Sequence, residues 1–151
     1  MITLRPIDED NFQACIALTV SVAEEDFVDP VLYSLAEAWL HRDYMEAFGI
    51  YHQDQLIGFV SLYINKENSE IINFLIDDAF QGQGYGSQAA QGSMQYLQER
   101  HQAKRISLPV HIKNERAKAF WTKQGFRPSD NIEDSYLFMR YYPSGDDSQM
   151  N

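Results

Sequence analysis

Cysteine is nearly absent from this 151-residue chain: Cys15 stands alone, so no internal disulfide can form. It sits among Phe12, Ile16 and Leu18, a setting for a small buried hydrophobe rather than a reactive thiol. Positive charge is scarce too. Twelve Lys and Arg face 22 Asp and Glu, a net charge of −10, which argues against nucleic acid and anionic membrane as partners. No stretch approaches the ~18 apolar residues that suggest a bilayer span. The start, Met1-Ile2-Thr3-Leu4-Arg5-Pro6, lacks the basic-then-apolar pattern of a secretory signal. A cytoplasmic protein is therefore expected. His41, His52, His101 and His111 show no metal-ligand spacing, so no metal is expected. No local Ser-His-Asp arrangement suggests a nucleophilic triad.

The charge that is present lies unevenly. Residues 1–78 hold 15 acidic and 3 basic residues, while residues 79–151 hold 7 acidic and 9 basic. One half could suit a cationic substrate and the other an anionic cofactor, unless both are ordinary solvated surface. The length allows one domain with a real core. It is placed at residues 1–142, with Pro143–Asn151 as a flexible acidic tail.

Ile2–Arg5 alternates and predicts a first strand, ended by Pro6. Asp8 or Asp10 is expected to cap a helix over about Asn11–Thr19. Ser34, with Glu37 three residues on, predicts a capping box for a helix over Leu35–Tyr44. Strands are expected at Gly49–His52, Gln55–Tyr63, Glu70–Ile76, Ile106–Val110 and Tyr136–Tyr142. Glu70–Ile76 is apolar enough to be central and covered on both faces. Helices are predicted from about Gly84 to Arg100 and over Asn114–Gln124, the second ending at Gly125. The order predicts an α+β domain around one mixed sheet.

A strand that runs through Gly82, Gly84 and Gly86 into a helix is a natural anion site. The first helical N–H groups lack partners, and the helix dipole adds partial positive charge there. The glycine spacing does not match GxGxxG, and no Lys-Ser or Lys-Thr pair follows. On the glycines alone, a tight strand-to-helix turn and a phosphate cradle both remain open.

The surrounding residues resemble a family. Asp77-Asp78-Ala79-Phe80-Gln81-Gly82-Gln83-Gly84-Tyr85-Gly86 resembles motif A of the GNAT N-acetyltransferases, Q/R-x-x-G-x-G/A. Gln81, Gly84 and Gly86 fill its fixed positions. Asn114-Glu115-Arg116-Ala117-Lys118-Ala119-Phe120-Trp121-Thr122-Lys123-Gln124-Gly125-Phe126 resembles motif B, N-x-x-A-x-x-hydrophobic-aromatic-x-K-x-G-F. The opening strand and two helices also match that family's usual start, so the likeness covers nearly the whole chain. Within the family, Phe27-Val28 through Tyr33–Ala38, and Phe74–Asp77, are similar to the bacterial spermidine/spermine acetyltransferases.

The resemblance implies a single GNAT-like domain: a mixed sheet with splayed central strands and about four flanking helices. It implies acetyl-CoA as cofactor and transfer of its acetyl group to a small cationic amine such as a polyamine. Homodimers are common in the family. The backbone of Phe74, Leu75 and Ile76 would bond the pantetheine arm. Amides of Gln81, Gly82, Gln83, Gly84, Tyr85 and Gly86, with Ser87, would hold the pyrophosphate. Asn114 would contact the arm, Lys118 or Lys123 would reach a nucleotide phosphate, and Trp121 would pack beside the thioester or in the core.

The implied chemistry is direct attack of a neutral amine on the thioester. An alkylamine has a pKa of about 10.4, so a base must take its proton. Glu25, Glu70 and Asp77 are the candidates. Glu24, Glu25, Asp26, Asp29 and Glu37 could bind a polycation, although each carboxylate also reads as solvated surface. Many GNAT enzymes carry a tyrosine acid in motif B where this chain has Trp121, and an indole N–H only donates. The acid is then absent, replaced by water, or supplied by Tyr136 or Tyr85. Alternative readings are an aminoglycoside, amino acid or protein N-terminus as acceptor, or a non-catalytic acyl-CoA sensor.

Overall fold

The computed structural model describes residues 1–21, 24 and 27–145. The carboxylate candidates Glu25 and Asp26, and most of the expected tail, lie outside the described residues.

Among the described residues the sheet has seven strands: β1 (Ile2–Pro6), β2 (Met45–His52), β3 (Gln55–Tyr63), β4 (Ser69–Ile76), β5 (Ile106–His111), β6 (Arg127–Glu133) and β7 (Tyr136–Tyr141). Their order is β1-β2-β3-β4-β5-β7-β6. Every neighbouring pair is antiparallel except β4 and β5, which run parallel. Four helices are described: α1 (Phe12–Ile16), α2 (Val31–Leu40), α3 (Tyr85–His101) and α4 (Glu115–Lys123). The expected α+β domain around a mixed sheet is what the chain forms.

The core has two parts. Ala89, Ala90, Met94 and Leu97 of α3 and Trp121 of α4 pack with Ile50, Val60, Ile106, Leu108 and Met139 of the sheet. Cys15 of α1 and Val31 of α2 pack with Phe59 and Leu75 in a second cluster. Burial raises the Cys15 thiol pKa, and nearby Asp8 raises it further, so the thiol stays protonated and acts as core. Among the described residues no helix is long and apolar enough to cross a membrane.

Several boundaries differ from expectation, each for a local reason. α1 is shorter than predicted. Asp8 does accept from the amides of Asp10 and Asn11, but it closes the turn ahead of the helix. α2 begins one turn early, after Pro30, a residue with φ preset and no N–H. Ser34 is therefore inside the helix. It is fully buried, and its hydroxyl accepts from Asn73 Nδ2 at 2.9 Å, so no capping box with Glu37 forms. β2 starts at Met45, where Glu46 had obscured the alternation. β6 was not expected because Arg127–Glu133 is an edge strand, exposed along nearly all its length, and shows no apolar period. β4 is central, yet Glu70, Ile72 and Phe74 are only half-buried, and the sheet opens beside Ile72 and Phe74.

Two glycines mark tight and loose packing. A Cβ on Gly58 would fall inside contact distance of the Leu75 carbonyl oxygen, whereas one on Gly92, inside α3, would meet nothing within 4 Å. Gly58→Ala should destabilise by about 1–3 kcal/mol as an overpacked backbone contact. Gly92→Ala should stabilise by up to about 1 kcal/mol through helix propensity. Urea unfolding of both variants checks the opposite signs.

Candidate active site

β4 and β5 pair only at Ser69↔Ile106 and Glu70↔Ser107. β4 stays on β3 as far as Gly58↔Ile76, and β5 stays on β7 as far as His111↔Tyr136. From Ile71 onward the two strands therefore part within one sheet. A register shift helps: Ser61 pairs Asn73 while Leu62 pairs Ile71, which leaves Ile72 as an extra residue. Such a bulge bends its strand. Asn73 holds the bend from the α2 side, donating to Ser34 Oγ and to the Asp29 carbonyl, each at 2.9 Å.

Two clefts occupy the opening. The larger, about 330 Å³, runs along Phe74–Ile76 to Gln81, Gly82, Gly84, Gly86 and Ser87, with Asn114, Phe120 and Trp121 opposite. The smaller, about 90 Å³, lies between the parted strands, against Ile72, Asn73, Pro109 and His111. Phe27, Val28, Phe74, Asn114, Ala117 and Trp121 border both.

The glycine loop is shaped from below. Asp77 ends β4 and accepts from the amides of Ala79 and Thr19 at 2.9 and 3.0 Å. A 3-10 turn over Asp78–Phe80 follows. Gln81 Nε2 donates back to the Ile76 carbonyl at 3.0 Å, so the side chain braces the loop. Gly82 and Gly84 have φ of 79° and 83°, and open space lies where each Cβ would stand. The 17-residue helix α3 starts at Tyr85 with no side-chain cap. Its first amides and its dipole are thus offered to an anion.

α4 supplies the opposite wall. Asn114 Oδ1 caps it by accepting from the Ala117 amide at 3.1 Å. Phe120 packs on Gly86, where a Cβ would touch its ring at 3.5 Å. Trp121, only 7% exposed, meets Phe74 edge-to-face at 5.2 Å and Phe126 at 5.3 Å. Gln124 ties the helices together, donating to Ser87 Oγ at 3.2 Å and accepting from Gln91 Nε2 at 2.9 Å.

The remaining expected site residues lie elsewhere. Gln83 and Tyr85 do not line either cleft, and the Tyr85 ring packs on His52 at 4.6 Å. Lys118 is held by the Ile112 carbonyl at 2.6 Å and Glu115 at 3.0 Å; neither it nor Lys123 lines a cleft. Both Asp77 oxygens are used by backbone amides. Glu70 sits where β4 and β5 still pair, outside both clefts. Burial chiefly raises its pKa and Glu133 adds to this, against the lowering effect of Arg105. Tyr136 stands behind His111, ring to ring at 5.3 Å. Asp29 and Glu37 border neither cleft, whereas Glu24 borders the larger one and pairs with Arg116 at 3.7 Å.

Sequence reasoning gave no site role to Phe27, Val28, Arg116, Phe120 or His111. Phe120 was within reach, because it fills motif B's hydrophobic position. His111 carries no local pattern. It joins the site because β5 ends at the opening, where its ring meets Phe27 at 5.2 Å.

The pattern of the acetyltransferase (GNAT) family matches residues 7–126. The chain belongs to that family. It is an N-acetyltransferase whose acetyl donor is acetyl-CoA. A spermine/spermidine N(1)-acetyltransferase of Bacillus subtilis is 26% identical over 140 residues, 87% of this chain and 91% of its own. A ribosomal-protein-serine acetyltransferase of Escherichia coli is 26% identical over 118 residues, 72% of this chain and 65% of its own. The crystal structure of a Vibrio cholerae spermidine N-acetyltransferase with CoA and spermine shares the fold. Its TM-score is 0.74 over 92% of both chains, at 20% identity.

The GNAT site fits its cofactor in kind. Open space above Gly82 and Gly84 faces bare helix amides, and the larger cleft continues from there along β4. Gly84→Val would put a β-branched side chain into that space, at a φ costing about 1–2 kcal/mol. The variant should remain folded by circular dichroism and bind CoA at least ~10-fold more weakly by calorimetry. Unchanged affinity would remove the loop from the cofactor site.

Proposed function

We propose that this GNAT enzyme acetylates a primary amine of a small cationic acceptor, with a polyamine such as spermidine or spermine as the substrate class. The parting of β4 from β5, with one cleft leading to the glycine loop and a narrow one between the strands, is the observation that carries the reading. The polyamine activity named for the Bacillus subtilis relative and the acidic residues before α2 in the sequence support a polyamine.

On this reading the amides of Gln81–Gly86, with Ser87, hold the pyrophosphate. The backbone of Phe74–Ile76 faces the pantetheine arm as a neighbouring strand would, and Asn114 borders the arm from α4. Acetyl-CoA supplies the thioester. The narrow cleft, about 90 Å³, admits a thin alkylamine beside Ile72, Pro109 and Trp121, with Asn73, His111 and Asn114 giving it polar groups. Glu24 is the carboxylate that borders the larger cleft among the described residues, and it provides negative charge toward the cation. Asp77 is occupied, Glu70 lies outside and Glu25 is not among the described residues, so among the described residues water is the group left to relay the amine proton out of the cleft.

His111 Nδ1 accepts from the Lys113 amide at 3.1 Å. A neutral ring therefore carries its proton on Nε2 and donates, which makes it a poor base. Tyr136, one ring further back, is not needed as the acid, and water protonates the departing thiolate.

A second reading, acetylation of a protein N-terminus or side chain, is favoured by the Escherichia coli relative. Thiol release from acetyl-CoA, measured with spermidine, spermine, an aminoglycoside, free amino acids and an N-terminal peptide, separates the two. Turnover with the peptide and none with polyamines would reject the first. Two variants probe the roles. Tyr136→Phe should keep turnover within about threefold, against the ~100-fold or larger loss expected for a general acid. Glu24→Gln should raise the KM for spermidine by about fivefold with little change in kcat, the upper range for a partly screened ion pair.

A further inference from the structure

α2 carries two apolar faces. Val31 and Ala38, with Ser34, are buried against the protein. On the other side Leu32, Tyr33, Trp39 and Leu40 are between 58% and 67% exposed, and Tyr44 follows at 43%. At about 100° per residue, Leu32, Tyr33, Ala36, Trp39 and Leu40 fall within an arc of about 120° centred on Ala36. An amphipathic helix turns its apolar stripe inward, and here a second stripe turns outward. Neither cleft takes a residue from α2, so the active site does not explain it. The exposed side chains present on the order of 500 Å², near the upper end of what a monomer leaves in one patch.

We propose that this outer face of α2 is the interface between two copies of the chain, packed antiparallel about a two-fold axis at Ala36. The stripe reads alike in both directions about that residue. In an antiparallel helix pair crossing there, Leu32 meets Leu40 of the second copy and Tyr33 meets Trp39, and each contact occurs twice. An isologous interface requires this self-complementarity, and an unrelated partner does not. Ala36 at the crossing is small enough for an axis separation of about 8 Å.

Charge agrees. In a chain with 22 acidic residues, Val31–Arg42 contains only Glu37, so two acidic copies can approach here with little repulsion. Arg42 lies over the Trp39 ring at 4.7 Å and donates to its carbonyl at 2.9 Å, which steadies the indole and supplies a polar rim. A standard interface takes about 800 Å² from each partner. The stripe gives more than half, and Ala36, His41 and Arg42 add to it.

The proposal deepens the homodimer implied by family likeness by naming its surface. Sedimentation velocity on the full chain and three variants tests it. The parent protein should be dimeric. Trp39→Glu should weaken the dimer at least ~30-fold, with circular dichroism and CoA binding unchanged. Leu40→Glu should weaken it too, and adding Leu32→Lys should restore it, because the two positions meet across the axis. A monomeric parent would overturn the dimer itself. A dimer that persists in Trp39→Glu would overturn the surface alone, and failure of the double variant to recover would overturn the antiparallel register.

Discussion

β4 and β5 stay paired for two residues and then part. Backbone N–H and C=O groups demand partners, and leaving one buried and unmade costs about 1–3 kcal/mol. A sheet that opens in its middle must therefore be held open by something and must satisfy that edge with something else. Trp121 and Phe74 provide the first. Their rings meet edge-to-face at 5.2 Å, and both border the two clefts. On the proposed reading the second is the cofactor arm, which bonds β4 as an added strand would. Binding and fold then share one feature, since the opening that admits the donor is a stretch of β4 edge left unpaired by β5.

The loop beyond β4 depends on the same opening. Gln81 reaches back to the Ile76 carbonyl, and Asp77 holds the Ala79 amide and the Thr19 amide together. Both side chains spend their polar atoms on shape. The glycines above them can then leave space, and the first amides of α3 point to it without a capping side chain. A polar residue in such a loop need not touch ligand to matter for binding, because on the proposed reading the backbone it braces does so.

The fold was legible in the sequence to the extent that local pattern and tertiary role agreed. α3 announced itself through apolar spacing, α4 through its stop at Gly125, and β4 through its apolar run. β6 was invisible because an exposed edge strand needs no apolar period. Ser34 misled because a hydroxyl that caps and a hydroxyl that satisfies a buried amide look the same in sequence. For the site, the glycine loop and Trp121 could be read from motif spacing. His111 and Phe27 could not, since they meet only because β5 ends where the chain before α2 passes. Lys118 and Asp77 had the right chemistry, but neighbours in the chain had already engaged them.

Trp121 bears on the mechanism through what it retains and what it gives up. It keeps the wedge, as its contacts with Phe74, Phe120 and Phe126 show. It lacks the hydroxyl that the motif B resemblance implies at that position, and an indole N–H donates but does not serve as an acid near neutral pH. A thiolate with pKa near 8.5 lies about 2 kcal/mol from its protonated form at pH 7. That gap is small beside a typical catalysed barrier, and water can close it after the C–S bond breaks. The alkylamine is the harder case, since a pKa near 10.4 leaves only about one molecule in a few thousand neutral at pH 7. Demand for proton transfer therefore falls on the nucleophile and little on the leaving group. On the proposed reading, a site whose motif B position holds a packing residue in place of an acid still has to give the amine end a narrow cleft, negative charge and a water path for its proton.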